Sequence, residues 1–426
     1  MLDQVPLKPK SIDRYAKAVG DEQLERLRAL ATRLGDARIL HVNATAYGGG
    51  VAELLATAVP LARGLGLDAD WQVMFGADDF FNVTKTVHNA LQGMEVAWTD
   101  HMEEIYLDRN LANARDFDND YDFVVMHDPQ PAAMLPLMEG IEGRERRGKW
   151  VWRCHIDTSN PFPPVADFLF SQVPSYDASV FTMREFVPDS LAGMRVEYIQ
   201  PCIDPLSLKN VPLTEETVFA ILESYDIDPH RPMICQVSRF DPWKDPVGVI
   251  DAYRKAKEDV PELQLVLAGS MASDDPEGMH YLHVTEVHAE GDPDIFILTN
   301  AQQVGAIEVN AFQLGADIVL QKSLREGFGL TVSEALWKQT PVIGGNVGGI
   351  RLQIDSGATG YLVDDVDECA DAIRKIYADP SAAEAMGAAA KEHVRENFVM
   401  TVLVERWLAL FADLAEIADP CAPEVS

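Results

Sequence analysis

Short apolar runs recur along the chain, each followed by a polar or glycine-rich turn and then by apolar positions at helical spacing. In the first half the runs are Arg38–Asn43, Trp71–Phe75, Asp122–Met126, Lys149–Cys154 and Val180–Met183. In the second they are Met233–Val237, Leu263–Ala268, Ile295–Leu298, Asp317–Gln321, Pro341–Gly344 and Gly360–Val363. Strand-length runs alternating with helical stretches of about ten residues or more predict βαβ units and mainly parallel sheets. The pattern changes around Val196–Asn210, where prolines flank a less regular stretch that reads as a linker. Helical patterns at 11–19 and 21–34 precede the first strand, and two more, near 381–395 and 400–417, close the chain. The expectation is two doubly wound α/β domains of similar size, each Rossmann-like, facing each other. Ligands of such sheets lie beyond the carboxyl ends of the strands, so the active site is expected in the interdomain cleft.

The polar residues at those strand ends are not scattered. His41 and Asn43 end one run, His127-Asp128 another and His155-Ile-Asp157 a third. Ser238-Arg239 ends the first run of the second half, and Glu326 follows a later one. Around that glutamate the chain reads Lys322-Ser-Leu-Arg-Glu-Gly-Phe-Gly-Leu-Thr-Val-Ser-Glu-Ala-Leu-Trp-Lys338, a strand exit, a glycine turn and a helix start. Its glycines allow a ligand close to the backbone, and a helix N-terminus offers free N–H groups and a positive dipole end. Glu326 and Glu334 add two carboxylates. Spacing alone equally suits a turn with two solvated glutamates. Arg239 and Lys244 could hold phosphate oxygens, or form surface ion pairs with Asp241 or Asp245. The turn Tyr47-Gly48-Gly49-Gly50 could admit a phosphate or sugar, or be a structural βα turn. The histidines could contact sugar, or satisfy loop carbonyls.

Length and charge narrow the classes. The 426 residues exceed one ordinary core. Sixty-eight acidic residues against 35 basic ones give a formal charge of −33, which argues against nucleic acid or an anionic membrane as partner. An anionic substrate would then need locally concentrated cations, as Arg239 and Lys244 provide. The five cysteines form no C-x-x-C pair, so a reduced chain without a zinc site is expected. The first residues lack a basic-then-apolar leader, and no run is long enough to span a bilayer, so a cytoplasmic location is expected. The His-x-x-x-His and Cys/His metal spacings, the G-x-S-x-G elbow and the phosphate-binding lysine loop are missing, which disfavours metal hydrolysis, acyl transfer and P-loop chemistry.

Taken together, Arg239, Lys244, Gly327-Phe328-Gly329 and the Glu326–Glu334 pair resemble glycosyltransferase family 4, the retaining nucleotide-sugar enzymes of GT-B type. Within that family the trehalose-forming members are the nearest likeness. It is carried by His41–Glu53, Phe80–Gly93, Trp152–Asp157, Pro201–Asn210 and Leu267-Ala-Gly-Ser270. The resemblance spans about residues 35–415. It implies an acceptor-binding domain over 1–205, a donor-binding domain over 206–398, and a C-terminal helix over 399–426 that crosses back to the first. The implied reaction transfers glucose from a nucleoside-diphosphate glucose (UDP-, ADP- or GDP-glucose) to free glucose, giving α,α-trehalose with retention, and is reversible.

By that resemblance Arg239 and Lys244 neutralise the leaving diphosphate, Glu326 binds the donor sugar with the amides of Gly327, Phe328 and Gly329, and Glu334 holds the ribose. Leu330 and Ser238 complete the donor side. His155 sits by the donor sugar and Asp128 binds the acceptor glucose, while Asn43, Tyr47, Gly48, Gly49, Gly50 and Asp157 form the acceptor side or its loop. The resemblance supplies no carboxylate nucleophile, so front-face displacement is expected over the paired-carboxylate route of glycosidases. No tightly bound cofactor or metal is expected, with Mg2+ acting, if at all, through the donor diphosphate. A homodimer is the assembly to test. The rivals are a trehalose phosphorylase of similar fold, another family-4 sugar transferase, and a non-enzymatic nucleotide-sugar sensor.

Overall fold

The computed structural model describes residues 2–47, 49–269 and 276–416. Gly48 and Cys421 lie outside the described residues. The chain forms two compact units, one of residues 1–201 with 400–426 and one of residues 202–399.

In the first unit the strands are β1 (Asp3–Gln4), β2 (Arg38–Asn43), β3 (Asp68–Val73), β4 (Phe123–His127), β5 (Lys149–Arg153), β6 (Ala178–Phe181) and β7 (Val196–Tyr198). They stand in the order β1-β3-β2-β4-β5-β6-β7. All pairs are parallel except the short edge strand β1, which runs antiparallel to β3. Apolar residues fill the central strands because helices cover both faces, the usual condition of a parallel sheet. The strand expected at Trp71–Phe75 begins three residues earlier and ends at Val73, leaving Phe75 in the turn beyond. Val196–Tyr198, read from sequence as linker, adds a seventh strand beside β6. Three residues at a sheet edge are too few to show a periodicity.

In the second unit the strands are β8 (Met233–Val237), β9 (Gln264–Gly269), β10 (Ile295–Thr299), β11 (Ile318–Gln321), β12 (Val342–Gly345) and β13 (Gly360–Val363). Their order is β10-β9-β8-β11-β12-β13, all parallel. This is the 3-2-1-4-5-6 winding of dinucleotide-binding sheets, whereas β3-β2-β4-β5-β6 follows the 2-1-3-4-5 winding. Winding reverses between β8 and β11 in one sheet and between β2 and β4 in the other. In such sheets ligands bind at the reversal, beyond the carboxyl ends of the strands.

The final helix, Met400–Leu414, belongs to the first unit and packs along the helix Asp21–Leu34. Thr401 Oγ1 donates to buried Gln23 at 2.9 Å, and Phe411 stacks on Phe123 at 4.7 Å. Cys154, Cys202, Cys235 and Cys369 are buried and take part in no disulfide. Among the described residues no helix is long and apolar enough to cross a membrane.

Candidate active site

At the β8/β11 reversal, polar side chains link the two strand exits. Buried Gln236, on β8, donates to the Lys244 carbonyl at 2.9 Å and accepts from the Lys322 amide at 3.1 Å. Its amide therefore fixes the turn 238–245 against the end of β11. Asp241 caps that turn, accepting from the Lys244 amide at 3.1 Å. Lys244 Nζ donates to Glu326, and both side chains are largely buried, 14% and 12% exposed. Gln321 Nε2 lies 3.5 Å from the same carboxylate oxygen. Buried Lys322 forms a further ion pair with Asp245. Arg239 lies outward, 67% exposed, 3.0 Å from Asp241. The surface-pair reading of the sequence thus describes part of Arg239's setting, while Lys244 is committed to Glu326. Ser238 continues β8, its amide donating to Ala268 O at 2.9 Å.

The glycine turn is held from behind. Gly329 has φ +80°, a conformation glycine adopts at no steric cost, and it precedes the helix Leu330–Trp337. Gln353, fully buried, points its amide at the carbonyls of Phe328 (2.5 Å), Gly329 (3.3 Å) and Gly349 (3.3 Å), and accepts from Ser333 Oγ at 2.5 Å. A Cβ on Gly349 would lie 2.5 Å from Phe328 Cα and 2.6 Å from Gly327 O, so the segment after β12 touches the turn backbone to backbone. With the carbonyls tied back, no hydrogen bond among the described residues takes up the N–H groups of Gly327, Phe328 and Gly329. Together with the helix N-terminus at Leu330 they can receive negative charge.

Glu334, in the second turn of that helix, is 2% exposed. Lys209 approaches Oε1 at 3.6 Å, while Oε2 has no hydrogen-bond partner among the described residues. A buried carboxylate oxygen without a donor is costly unless a ligand supplies one. Lys338 ties this helix to the 204–210 turn, donating to Asn210 at 2.9 Å and to Glu334 O at 3.0 Å. Burial pushes the Lys338 ammonium down to about 8.

At the β2/β4 reversal the chemistry is different. His41, His127 and His155 stand on β2, on β4 and just past β5. His41 Nδ1 lies 3.0 Å from His127 Nε2, and His127 Nδ1 lies 3.0 Å from His155 Nε2. Burial lowers all three, His41 to about 4 and the other two well below their ordinary value, with buried Arg153 adding to the effect on the latter pair. These imidazoles are neutral at neutral pH. Asp128 has φ +66°, and its Oδ1 accepts from the His155 amide at 2.8 Å. Loss of solvent raises this carboxyl to about 6.

Two acceptor-side candidates have internal duties. Asn43 accepts from Trp71 Nε1 at 2.8 Å and donates to Thr45 O at 2.7 Å, so both ends of its amide are engaged. Asp157 accepts from the Ser159 amide and hydroxyl at 3.0 and 2.6 Å, closing a local turn. Gly49 and Gly50 open the helix Gly50–Gly64, and a Cβ on either would meet nothing within 4 Å. Tyr47 is 84% exposed. Sequence reasoning passed over Gln236, Gln321, Lys322 and Gln353. The signal was present for two: a glutamine interrupting an otherwise apolar buried strand needs a buried hydrogen-bond partner.

The family model for the N-terminal domain of trehalose synthase matches residues 41–188, and that for group 1 glycosyl transferases matches residues 219–393. The trehalose synthase of Rubrobacter xylanophilus is 50% identical over 418 residues, covering 97% of this chain and 99% of its own. That of Thermococcus litoralis is 49% identical over 403 residues, covering 94% and 96%. Among solved structures, trehalose-6-phosphate from E. coli bound with UDP-2-fluoro glucose matches with a TM-score of 0.72 at 17% identity, over 90% of this chain and 100% of that one. At that identity the likeness is one of fold.

Proposed function

Because the chain belongs to the trehalose synthase family of glycosyltransferases, we propose that it transfers glucose from a nucleoside-diphosphate glucose to free glucose, forming α,α-trehalose with retention. The observation that carries the nucleotide part is Glu334. Its buried Oε2 has no protein donor among the described residues, and the hydroxyls of a ribose would supply one. A phosphorylase, working with inorganic phosphate, would have no ribose to place there.

In this reading Lys244 and Arg239 receive the charge that develops on the leaving diphosphate, assisted by the open amides of Gly327, Phe328 and Gly329. This is preorganised electrostatic stabilisation, aimed at charge that grows in the transition state. Glu326, held by Lys244, accepts from donor-sugar hydroxyls. Asp128 and His155 serve sugar hydroxyls. The acceptor's proton passes to a departing phosphate oxygen on the same face, which needs no protein nucleophile. Mg2+ enters only as a counterion of the donor diphosphate.

The test is incubation with glucose and, separately, UDP-, ADP- and GDP-glucose, followed by identification of the disaccharide. A non-reducing α,α-linked product is expected. A reducing disaccharide, or turnover of trehalose only with inorganic phosphate, would overturn the proposal. A covalent glucosyl-enzyme trapped with a fluorinated donor would sink the front-face route alone.

A further inference from the structure

The three imidazoles at the β2/β4 reversal are linked nitrogen to nitrogen. A neutral imidazole carries one N–H and one lone pair, so each ring can donate at one nitrogen and accept at the other. His127 uses both nitrogens inside the chain of rings, at 3.0 Å on each side. Only two neutral arrangements satisfy both bonds. With every ring protonated at Nδ1, His41 donates to His127, His127 donates to His155, and His155 presents an outward Nδ1–H. With every ring protonated at Nε2, both bonds reverse and His155 presents a lone pair at Nδ1. Any mixture of the two leaves at least one contact with two donors or two acceptors.

The surroundings keep the three rings neutral. The His127 and His155 rings lie end to end, centroids 5.3 Å apart and planes 19° apart, as an in-plane hydrogen bond between them requires, and Trp407 packs edge-on against His41 at 5.9 Å. The adjoining cavity, about 20 Å³, is lined by the three histidines, Arg153 and otherwise apolar residues including Leu54 and Leu403. The charged groups facing the rings are the Arg153 guanidinium and the Asp128 carboxyl. The first opposes a positive ring, and the second accepts from the backbone of His155.

We propose that His41, His127 and His155 form one tautomeric unit, in which His41 and His127 are positioning residues that decide whether His155 offers a sugar hydroxyl a donor or an acceptor. The role of His155 rests on the function proposed above. The coupling of the rings does not, because it follows from two hydrogen bonds within the unit. A hydroxyl that binds Nδ1 of His155 selects one sense and sets the proton position on His41, two rings away.

The experiment labels histidine with 15N in the full chain and reads ring protonation from two-bond 1H–15N correlations at neutral pH. All three rings are expected neutral and of one sense. Rings of opposite sense, or a doubly protonated member, would overturn the coupling with no reference to activity. Adding glucose and UDP-glucose is then expected to perturb the His41 ring together with His155. One-sense rings that ignore both sugars would uphold the coupling and overturn the link to sugar. Two variants separate positioning from packing. In His41→Asn a side-chain amide can stand where Nδ1 stood and keep the bond to His127; His41→Phe keeps the ring and loses the bond. His41→Phe is expected to lose roughly fivefold in kcat/KM, with His41→Asn closer to wild type. A packing role alone would rank the two the other way.

Discussion

Two strand-exit clusters occupy the same topological position in their respective sheets and are built from opposite materials. At the β8/β11 reversal the side chains are charged and paired, Lys244 with Glu326, Lys322 with Asp245 and Arg239 with Asp241. At the β2/β4 reversal they are rings stripped of charge by burial, beside a carboxyl whose proton is held up to about 6. The fold accounts for the position of both clusters and for the chemistry of neither. In a chain of formal charge −33, cations can be kept at one edge only if carboxylates hold them there. An edge meant for uncharged hydroxyls has no such requirement, and neutral donors and acceptors serve it with less desolvation. On the proposed reaction, the charged edge takes the leaving diphosphate and the neutral edge the sugar hydroxyls.

The sharpest way to break this contrast is to remove the cations singly. Lys244→Ala and Arg239→Ala are each expected to lower kcat by about 10² to 10³, the worth of one preorganised charge or donor. Their stabilities should part company. Arg239 is 67% exposed in a surface pair, so its loss should cost under about 1 kcal/mol. Lys244→Ala leaves Glu326 largely buried and unpaired, at a cost of about 3 kcal/mol. Steady-state rates and denaturant titrations read the two effects separately. Wild-type turnover in either variant would show that the charged edge does not receive the diphosphate.

The glycines offer the next comparison. Gly349→Ala would drive a Cβ into the backbone of the 327–328 turn, where no flexible side chain can yield. About 1–3 kcal/mol of strain is expected, with a displaced turn costing roughly tenfold or more in donor kcat/KM. Gly50→Ala, at the start of a helix with nothing within 4 Å, should change stability by less than about 0.5 kcal/mol. If thermal melts showed equal losses for the two, the close backbone contact would have no energetic weight.

These positions also mark what could be read from sequence. Strand and turn positions were legible because buried parallel strands are short, apolar and bounded by polar residues; Met233–Val237 and Gly360–Val363 fall where the pattern puts them. The gathering of His41 and His127 at the strand ends of one sheet, and of the 238–245 turn with Glu326 at those of the other, was legible for the same reason. Partners were not. Periodicity carries no information on which carboxylate a lysine chooses, so Lys244 could be paired with Glu326, 82 positions away, only through the sheet winding. Gln353 was invisible because its task, holding carbonyls so that amides face outward, depends on a backbone contact that no local spacing encodes. Asn43 and Asp157 stood out as polar strand-end residues, yet they spend their hydrogen bonds on Trp71, Thr45 and Ser159.

The smallest effect tests the neutral edge. Asp128 has φ +66° and accepts from the His155 amide, and asparagine tolerates that conformation and can accept the same bond. Asp128→Asn therefore removes a desolvated charge with little else. The carboxyl is raised from 3.8 to about 6 by burial. Between those values the folded chain holds a proton that the unfolded chain has released, so the carboxyl's contribution worsens as pH rises through the window and is fully unfavourable above it. The variant should be more stable than wild type by about 1 kcal/mol near neutral pH, after discounting for partial exposure, and no more stable below the ordinary carboxylate range. The histidines run the other way. His41 is lowered from 6.5 to about 4, so unfolded chains bind more protons in that window and stability falls with acid in both proteins. Denaturant titrations at the two pH extremes separate these slopes. A variant that gains stability while losing affinity for glucose would show that the Asp128 charge is kept for the acceptor at a cost in folding free energy. A variant that gains nothing near neutral pH would show that the carboxylate is not strained at this edge, and the contrast with the paired charges at β8/β11 would lose its energetic basis.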